Sequence, residues 1–168
     1  LSDYFSEYAL IKYRIMVEVE YFIALAMTGI SGLAGLETEH FDALRKAYID
    51  FSREDAEKVK KIEKVTNHDV KAVEYYLKEK LQEMELGNYA EFIHFGLTSQ
   101  DINNTAIPIS LKDAIQHVYY PFMEEVLQTL ERLASEWDDI PMLARTHGQP
   151  ASPTKLGKEI RVFIRRLE

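Results

Sequence analysis

One stretch of the chain, from Ala144 to Ala151, has the residue types that proton transfer requires. It reads Ala-Arg-Thr-His-Gly-Gln-Pro-Ala, and it sets His147 between a threonine and a glycine, where neither a helix nor a strand could comfortably continue. An imidazole titrates near pH ~6.5 when unperturbed, so at neutral pH it can donate or accept a proton. Arg145, Thr146 and Gln149 could orient the ring or bind an anionic ligand. A single loop histidine is also commonly a solvated or capping residue, and this stretch alone leaves both interpretations open.

Two further polar breaks interrupt the helical patterns of the sequence. The first is the tripeptide Asn67, His68 and Asp69. The second is the segment 97–105, in which only two residues are apolar. There Thr98 and Ser99, near a helix N-terminus, could hold a carboxylate or phosphate together with free backbone N–H groups. Ordinary helix capping is the alternative for both breaks, with Asn67 or Asp69 as the N-cap of the helix that follows.

Local spacing favours no metal, phosphate-loop or serine-nucleophile site. There is no cysteine, and no two of the five histidines stand at the helical spacing of a zinc pair. Gly29, Gly32 and Gly35 lack the lysine and the flanking strand that a phosphate-binding loop requires. No serine stands in a strand-turn-helix elbow. We therefore expect no metal and no cofactor, and an anionic small-molecule substrate that the three polar breaks bind and protonate.

Helices are the elements that must position these breaks. Apolar residues recur at helical spacing in six segments, which the sequence predicts as helices: 2–27, 39–51, 53–65, 70–84, 89–95 and 105–137. In the first helix Leu10, Tyr13, Val17, Phe22 and Leu25 form the apolar stripe. Pro121 removes a backbone donor from the last and longest helix and should interrupt it near Tyr120.

The sequence predicts an all-α fold, because no segment shows the alternation of a half-buried strand. After the 144–151 stretch, Ser152 and Pro153 are predicted to cap a last helix that starts at Thr154. A helix of about thirty residues spans ~45 Å, too long for a small compact domain. We therefore predict a helical N-terminal domain over 1–107 and the first helices of a long helical bundle over 108–168.

Composition limits the classes of function. Hydrophobic residues make up 46% of the chain and charged residues 29%, enough for a real core. No apolar run approaches the ~20 residues that span a bilayer, so we expect no membrane segment. The net charge of -8 argues against nucleic-acid binding. Because cysteines and a basic leader are absent, the cytoplasm is the expected location. The chain begins without methionine and stops inside a helical pattern, so we expect sequence on both sides.

Three motifs, in order along the chain, carry a resemblance. They are Thr-Asn-His-Asp-Val-Lys-Ala-Val-Glu from Thr66, Phe-Ile-His-Phe-Gly-Leu-Thr-Ser-Gln-Asp-Ile-Asn-Asn from Phe92, and Arg-Thr-His-Gly-Gln-Pro-Ala-Ser-Pro from Arg145. Together they resemble the adenylosuccinate lyase family of the fumarase/aspartase superfamily, and the resemblance covers essentially the whole chain. The second and third motifs recur elsewhere in the superfamily, whereas the first is more particular to this family.

The resemblance implies a reaction and a role for each site residue. The reaction would be β-elimination of fumarate from adenylosuccinate, giving AMP, and from the succinylated aminoimidazole carboxamide ribotide (SAICAR). His147 would be the general acid that protonates the departing nitrogen, with Thr146 and Gln149 beside it as substrate-binding residues. His68, with Asn67 and Asp69, would hold the substrate and take part in catalysis, while Thr98 and Ser99 would bind its carboxylates or phosphate.

The resemblance also implies a homotetramer whose long helices form a central bundle and whose active sites combine several subunits. It implies a serine base in a mobile loop and an Arg-Tyr substrate-binding pair, and neither segment occurs in this sequence. We therefore expect the parent protein to be an enzyme and the isolated chain to be inactive. Two alternatives stay open: a related enzyme similar to carboxymuconate cycloisomerase, and a helical assembly module without catalysis of its own.

Overall fold

The computed structural model describes residues 1–168. Its helices are α1 (Ser2–Phe5), α2 (Glu7–Met27), α3 (Phe41–Ile49), α4 (Arg53–Thr66), α5 (Asp69–Glu83), α6 (Ser99–Ala114), α7 (Tyr120–Glu136) and α8 (Leu156–Leu167). Its two strands are β1 (Pro141–Thr146) and β2 (Gln149–Lys155). Short 3-10 turns cover Ser31–Leu33, Thr38–His40 and Gly87–Phe92, and a π-helical turn covers Ile115–Tyr119.

The chain packs into two compact units, Leu1–Ala114 and Ile115–Glu168. The assignment of 1–107 and 108–168 to domains of a complete subunit stays a prediction. The all-α class holds apart from one antiparallel pair of strands. No helix combines the length and the apolar character needed to cross a membrane.

Helix α2 is the centre of the first unit, because it contacts α3, α4, α5 and α6. It does not continue from α1 as the sequence suggested. Ser6 adopts an extended conformation between the two, and its hydroxyl accepts a hydrogen bond from the N–H of Ala9, so it starts a new helix. A serine cap of this kind stabilises a helix start by about 1 kcal/mol.

The stripe of α2 that faces the core is rotated from the one the sequence suggested. Leu10, Val17 and Leu25 are only half-buried, whereas Ile11, Ile15, Val19, Phe22 and Ile23 are buried. Burying Phe22 alone stabilises the fold by about 1.5–3 kcal/mol. The rotation also buries two charged residues, Arg14 and Glu18.

Helices α4 and α5 pack against each other, and capping interactions determine where they begin and end. Ser52 and Asp55 make a reciprocal capping box at the start of α4. The predicted helix 89–95 is instead a 3-10 turn over Gly87–Phe92. Helix α6 begins at Ser99, six residues before the predicted 105, because Thr98 and Asp101 cap it.

The second unit begins with the π-helical turn, and α7 follows. This turn ends at Tyr119, two residues before Pro121. The sequence predicted an interruption there, because proline cannot donate a hydrogen bond to the regular helical ladder. Helix α8 packs against α7 at Gly157, where a Cβ would lie 2.2 Å from the carbonyl oxygen of Ala134. Ala134 and Ile164 are the buried apolar side chains of this pairing. The same two helices expose several large apolar side chains: Tyr120, Phe122, Val126, Val162 and Phe163.

The hairpin between α7 and α8 differs from the prediction. Ser152 and Pro153 lie in β2, and α8 begins at Leu156 instead of Thr154. Prolines are tolerated here because each strand of a two-stranded sheet is an edge and its outward N–H positions need no partner. Neither strand has the strong alternation of apolar and polar residues that marks a half-buried strand, because both strands are largely exposed.

Candidate active site

The tripeptide 67–69 connects α4 and α5 through two different caps. Asn67 ends α4 with a left-handed φ of 52°, and its N–H donates to the carbonyl oxygen of Glu63. His68 is the N-cap of α5, because its Nδ1 accepts a hydrogen bond of 3.1 Å from the N–H of Lys71. The expectation that Asn67 or Asp69 is the N-cap is therefore wrong. Asparagine tolerates the left-handed region and so serves at the end of α4.

The capping role of His68 decides which ring nitrogen faces the start of α6. Nδ1 accepts the N–H of Lys71, so the proton of the neutral imidazole stands on Nε2. Nε2 lies 3.4 Å from Oγ of Ser99, the first residue of α6. His68 is exposed and Ser99 is half-buried, so both polar atoms are accessible. Two helix N-termini thus meet at a histidine N–H and a serine hydroxyl.

Arg14 of α2 joins the two segments that carry these side chains. Its Nη2 donates to Oδ2 of Asp69 at 2.6 Å, and its Nε donates to Oδ1 of Asn103 in α6 at 2.9 Å. Burial raises the pKa of Asp69, but the N–H of Val70 and the charge of Arg14 outweigh it and hold this pKa below its usual value. Asp69 is therefore ionised at neutral pH, and the guanidinium compensates its charge.

Thr98 is occupied by helix capping. Its N–H and its hydroxyl both donate to Oδ2 of Asp101, at 2.7 and 2.8 Å. These two bonds lower the pKa of Asp101, which is ionised at neutral pH. Thr98 keeps hydroxyl lone pairs as acceptors but has no free donor for an anion, unlike Ser99.

Thr146, His147 and Gln149 belong to the second unit, at the tip of the hairpin. Thr146 pairs with Gln149 across the strands, so the turn contains only His147 and Gly148. Both turn residues have positive φ, 52° and 77°, which a type I′ turn requires. Histidine is among the residues enriched in that region. All three predicted side chains are exposed, and the guanidinium of Arg145 donates to the carbonyl oxygen of Gly148.

Sequence reasoning missed the buried charges that support this site. Arg14 and Glu18 stand four residues apart on α2, among buried apolar residues. Oε1 of Glu18 lies 2.5 Å from Nδ1 of His94, which immediately precedes the Thr98 region. Asn103 belongs to the second motif of the resemblance, but the sequence predicted no role for it. The signal available in the sequence was a pair of charges at positions 14 and 18, next to the buried positions 15 and 19.

An open groove of about 520 Å³ lies between α2 and α6, but it does not include His68 or Ser99. Its lining is mostly apolar, and its only charged side chains, Glu20 and Asp101, are acidic. A groove of that chemistry does not suit an anionic ligand. No group of three or more His, Asp or Glu side chains lies close enough together to hold a metal ion.

Comparison with known proteins shows what the chain is similar to. A family described as lyase matches residues 1–168. An adenylosuccinate lyase of Dictyostelium discoideum is 54% identical over 173 residues, which cover the whole chain and 37% of that protein. An adenylosuccinate lyase of Escherichia coli (strain K12) is 44% identical over 170 residues, with the same coverage. The chain therefore spans little more than a third of the length of these relatives.

Solved structures share the fold at low sequence identity. A fumarate lyase from Mesorhizobium sp. BNC1 superimposes with a TM-score of 0.75 at 24% identity, over 98% of this chain and 36% of that one. A beta-carboxy-cis,cis-muconate cycloisomerase from Acinetobacter calcoaceticus sp. ADP1 gives a TM-score of 0.69 at 22% identity, over 99% and 37% of the two chains. At these identities the likeness establishes the fold alone.

Proposed function

Because the chain belongs to this family of lyases, we propose that it forms part of an enzyme that cleaves adenylosuccinate to AMP and fumarate, and SAICAR in the parallel reaction. The observation that carries the proposal is the 44–54% identity to adenylosuccinate lyases over the whole chain. The muconate cycloisomerase alternative has only a likeness of fold at 22% identity behind it.

The reaction asks for three kinds of group. A base removes a proton from the carbon next to a carboxylate, the carbon–nitrogen bond breaks with its electrons going to nitrogen, and an acid protonates that nitrogen as the fumarate double bond forms. Fixed hydrogen-bond donors stabilise the negative charge that develops on the way. The family resemblance assigns the base to a serine loop that has no counterpart in residues 1–168.

We assign the acid to His147, with Thr146 and Gln149 as substrate-binding neighbours. Its exposed position on a two-residue turn supports this role, because the backbone of such a turn is fixed while the imidazole stays accessible. A positioned acid of this kind contributes roughly 10²–10⁴-fold to the rate.

We assign substrate binding to Asn67, His68, Asp69, Thr98 and Ser99. The N–H of His68 and the hydroxyl of Ser99 lie at the starts of α5 and α6, where the helix dipoles favour an anion. Arg14 compensates the charge of Asp69, so that this carboxylate repels a negatively charged substrate less than it otherwise would. The hydroxyl of Thr98 would have to exchange Asp101 for the substrate before it could donate.

The test is a substrate comparison with the full-length protein. We expect release of fumarate from adenylosuccinate and from SAICAR, and no lactone formation from 3-carboxymuconate. His147→Ala should lower kcat roughly 10²–10⁴-fold with little change in KM. Failure of the unmodified protein to turn over adenylosuccinate would overturn the function. A near-normal kcat in the His147 variant would overturn only the assignment of the acid.

We also propose a homotetramer with composite sites in the cytoplasm. The exposed apolar residues of α7 and α8, among them Phe122, Val126 and Phe163, support association, because several large apolar side chains exposed on two packed helices are typical of a surface that a partner covers. Analytical ultracentrifugation of the full-length protein should give the mass of four subunits. Sedimentation as a monomer that binds no hydrophobic dye would contradict this proposal.

A further inference from the structure

Glu18 is a buried carboxylate with a single partner. It lies in the middle of α2 with no exposed surface. Oε1 contacts Nδ1 of His94 at 2.5 Å, while Oε2 is buried without any hydrogen-bond partner. Leaving a carboxylate oxygen unsatisfied in a protein interior is costly, and an apolar residue of similar volume at such a position is often neutral or stabilising. The presence of an acid here therefore calls for an explanation other than packing.

The partner, His94, is held in an unusual turn. Its φ is 62°, in the left-handed region, and its carbonyl oxygen accepts the N–H of Leu97 at 3.2 Å. The next carbonyl oxygen, that of Phe95, accepts a hydrogen bond from the hydroxyl of Tyr21 on α2. This turn leads directly into Thr98 and Ser99. A residue held in this region costs of order 1–3 kcal/mol, and such positions cluster at functional sites.

The His94 side chain acts electrostatically on the first turn of α6. Its charge contributes to the lowered pKa of Asp101, after the two hydrogen bonds from Thr98. Its side chain is only 17% exposed, and Nδ1 is engaged by Glu18. Nε2 is therefore the ring nitrogen left for a further contact.

From this geometry we propose that Glu18 is a positioning residue of the candidate active site: through Nδ1 of His94 it fixes the orientation and the protonated nitrogen of that imidazole at the start of α6. In many sites a carboxylate binds the histidine ring nitrogen that does not contact the ligand. This hydrogen bond selects one tautomer and one ring orientation. The part of the proposal that concerns turnover rests on the proposed lyase function.

The charged groups around the pair determine its behaviour with pH. Glu18 faces His94 from the 94–97 turn and Glu74 from α5, and His94 also faces Asp101 from α6. Burial raises the pKa of Glu18 and Glu74 raises it further, against the opposing effect of His94, and the net direction is upward. Glu74 is itself paired with Lys71 and Lys78. Glu18 thus takes up a proton at a higher pH than an ordinary glutamate, and it then loses the charge that holds Nδ1–H.

The experiment compares Glu18→Gln with a matched control, Glu20→Gln. Glu20 lies on the same helix, and its carboxylate is bound by Arg45 and Tyr48 rather than by a histidine. In the full-length protein we expect Glu18→Gln, which removes the charge that holds Nδ1–H, to lower kcat/KM for adenylosuccinate roughly 10- to 100-fold, the scale found for groups that orient a metal-binding histidine. Because the amide cannot ionise, the fall of activity toward acid pH that Glu18 causes should disappear. Glu20→Gln should keep the original rate and pH profile.

A second measurement does not depend on turnover. In protein labelled with ¹⁵N-histidine, we expect the neutral imidazole of His94 to carry its proton on Nδ1, and Glu18→Leu to shift that proton to Nε2. The proposal is overturned if the His94 resonances are the same in both proteins, or if Glu18→Gln lowers activity without changing the pH profile. If the unmodified protein is inactive on adenylosuccinate, the proposed function fails, and the nitrogen spectra alone decide whether Glu18 positions His94.

Discussion

Replacing Arg14 by methionine should loosen the junction between α2, α5 and α6, because it removes the only group that bonds to both Asp69 and Asn103. The Arg14 side chain is only 8% exposed, so water cannot readily replace the hydrogen bonds of the guanidinium when it is removed. A hydrogen bond to a charged group contributes about 1.5–3 kcal/mol, and breaking a fully buried ion pair costs about 3–5 kcal/mol. Because the side chain of Asp69 is 48% exposed and can rehydrate, we expect a loss of about 2–3 kcal/mol.

The pH dependence of this loss of stability tests the role of the ion pair more specifically than its size does. The pKa of Asp69 is lowered in the folded protein, so the stability that it contributes is present above the pKa of an unfolded aspartate, near ~3.9, and is lost as the pH falls through the folded value. The difference between Arg14→Met and the unmodified protein, measured by urea denaturation, should therefore narrow below about pH 4.

A double-mutant cycle with Asp69→Asn isolates the pair. We expect a coupling energy of about 1–2 kcal/mol between positions 14 and 69, and almost none between Arg14→Met and a Ser52→Ala control. Arg14→Lys should recover only part of the loss, since one ammonium does not reproduce two fixed bonds in a planar fork. A loss below about 0.5 kcal/mol, or additivity of the two substitutions, would refute the view that Arg14 joins the site segments.

Three further predictions concern other elements. Mixing full-length His147→Ala with full-length His68→Ala should restore part of the activity that each lacks, since composite sites then contain both histidines; no recovery after demonstrated subunit exchange would count against composite sites. Gly157→Ala should separate α7 from α8, because the new Cβ would lie 2.2 Å from the backbone oxygen of Ala134, and unchanged thermal stability would contradict that packing. Ser52→Ala should lower the free energy of unfolding by about 1 kcal/mol through loss of the α4 capping box. Burial raises the pKa of Asp55, but its hydrogen bonds to Ser52 outweigh burial and bring this pKa to about 2, so the loss of stability should be clearest above pH ~4. An equal loss of stability below pH 2 would contradict the role of Asp55.

Most of the helices could be predicted from the sequence. Ser52 starts α4, glycines at 29 and 35 follow α2, and the interruption at Pro121 lies where a missing backbone donor requires it. These features depend on interactions within a few residues, so local sequence determines them. The family resemblance likewise needed only the order of three short motifs.

The two strands of the hairpin around His147 could not be predicted from the sequence. Its strands show little alternation because they bury little surface, and Ser152 with Pro153 suggested a helix start. What holds them is the cross-strand pairing from Pro141 with Lys155 to Thr146 with Gln149, together with the bond from the N–H of Leu156 to the carbonyl oxygen of Ile140. The backbone at His147 follows from that pairing, since a two-residue turn requires positive φ.

The buried charges depended on tertiary structure entirely. Helical periodicity locates the buried face of α2 only to within about one residue. A shift of one residue rotates the predicted face by about 100° around the helix axis, so different side chains are then expected in the core. Arg14 and Glu18 look unfavourable on a buried face until their partners are known. Those partners stand far along the chain, 55 and 89 residues from Arg14 and 76 residues from Glu18, so only the packing of α2 against α5, α6 and the 94–97 turn could bring them together.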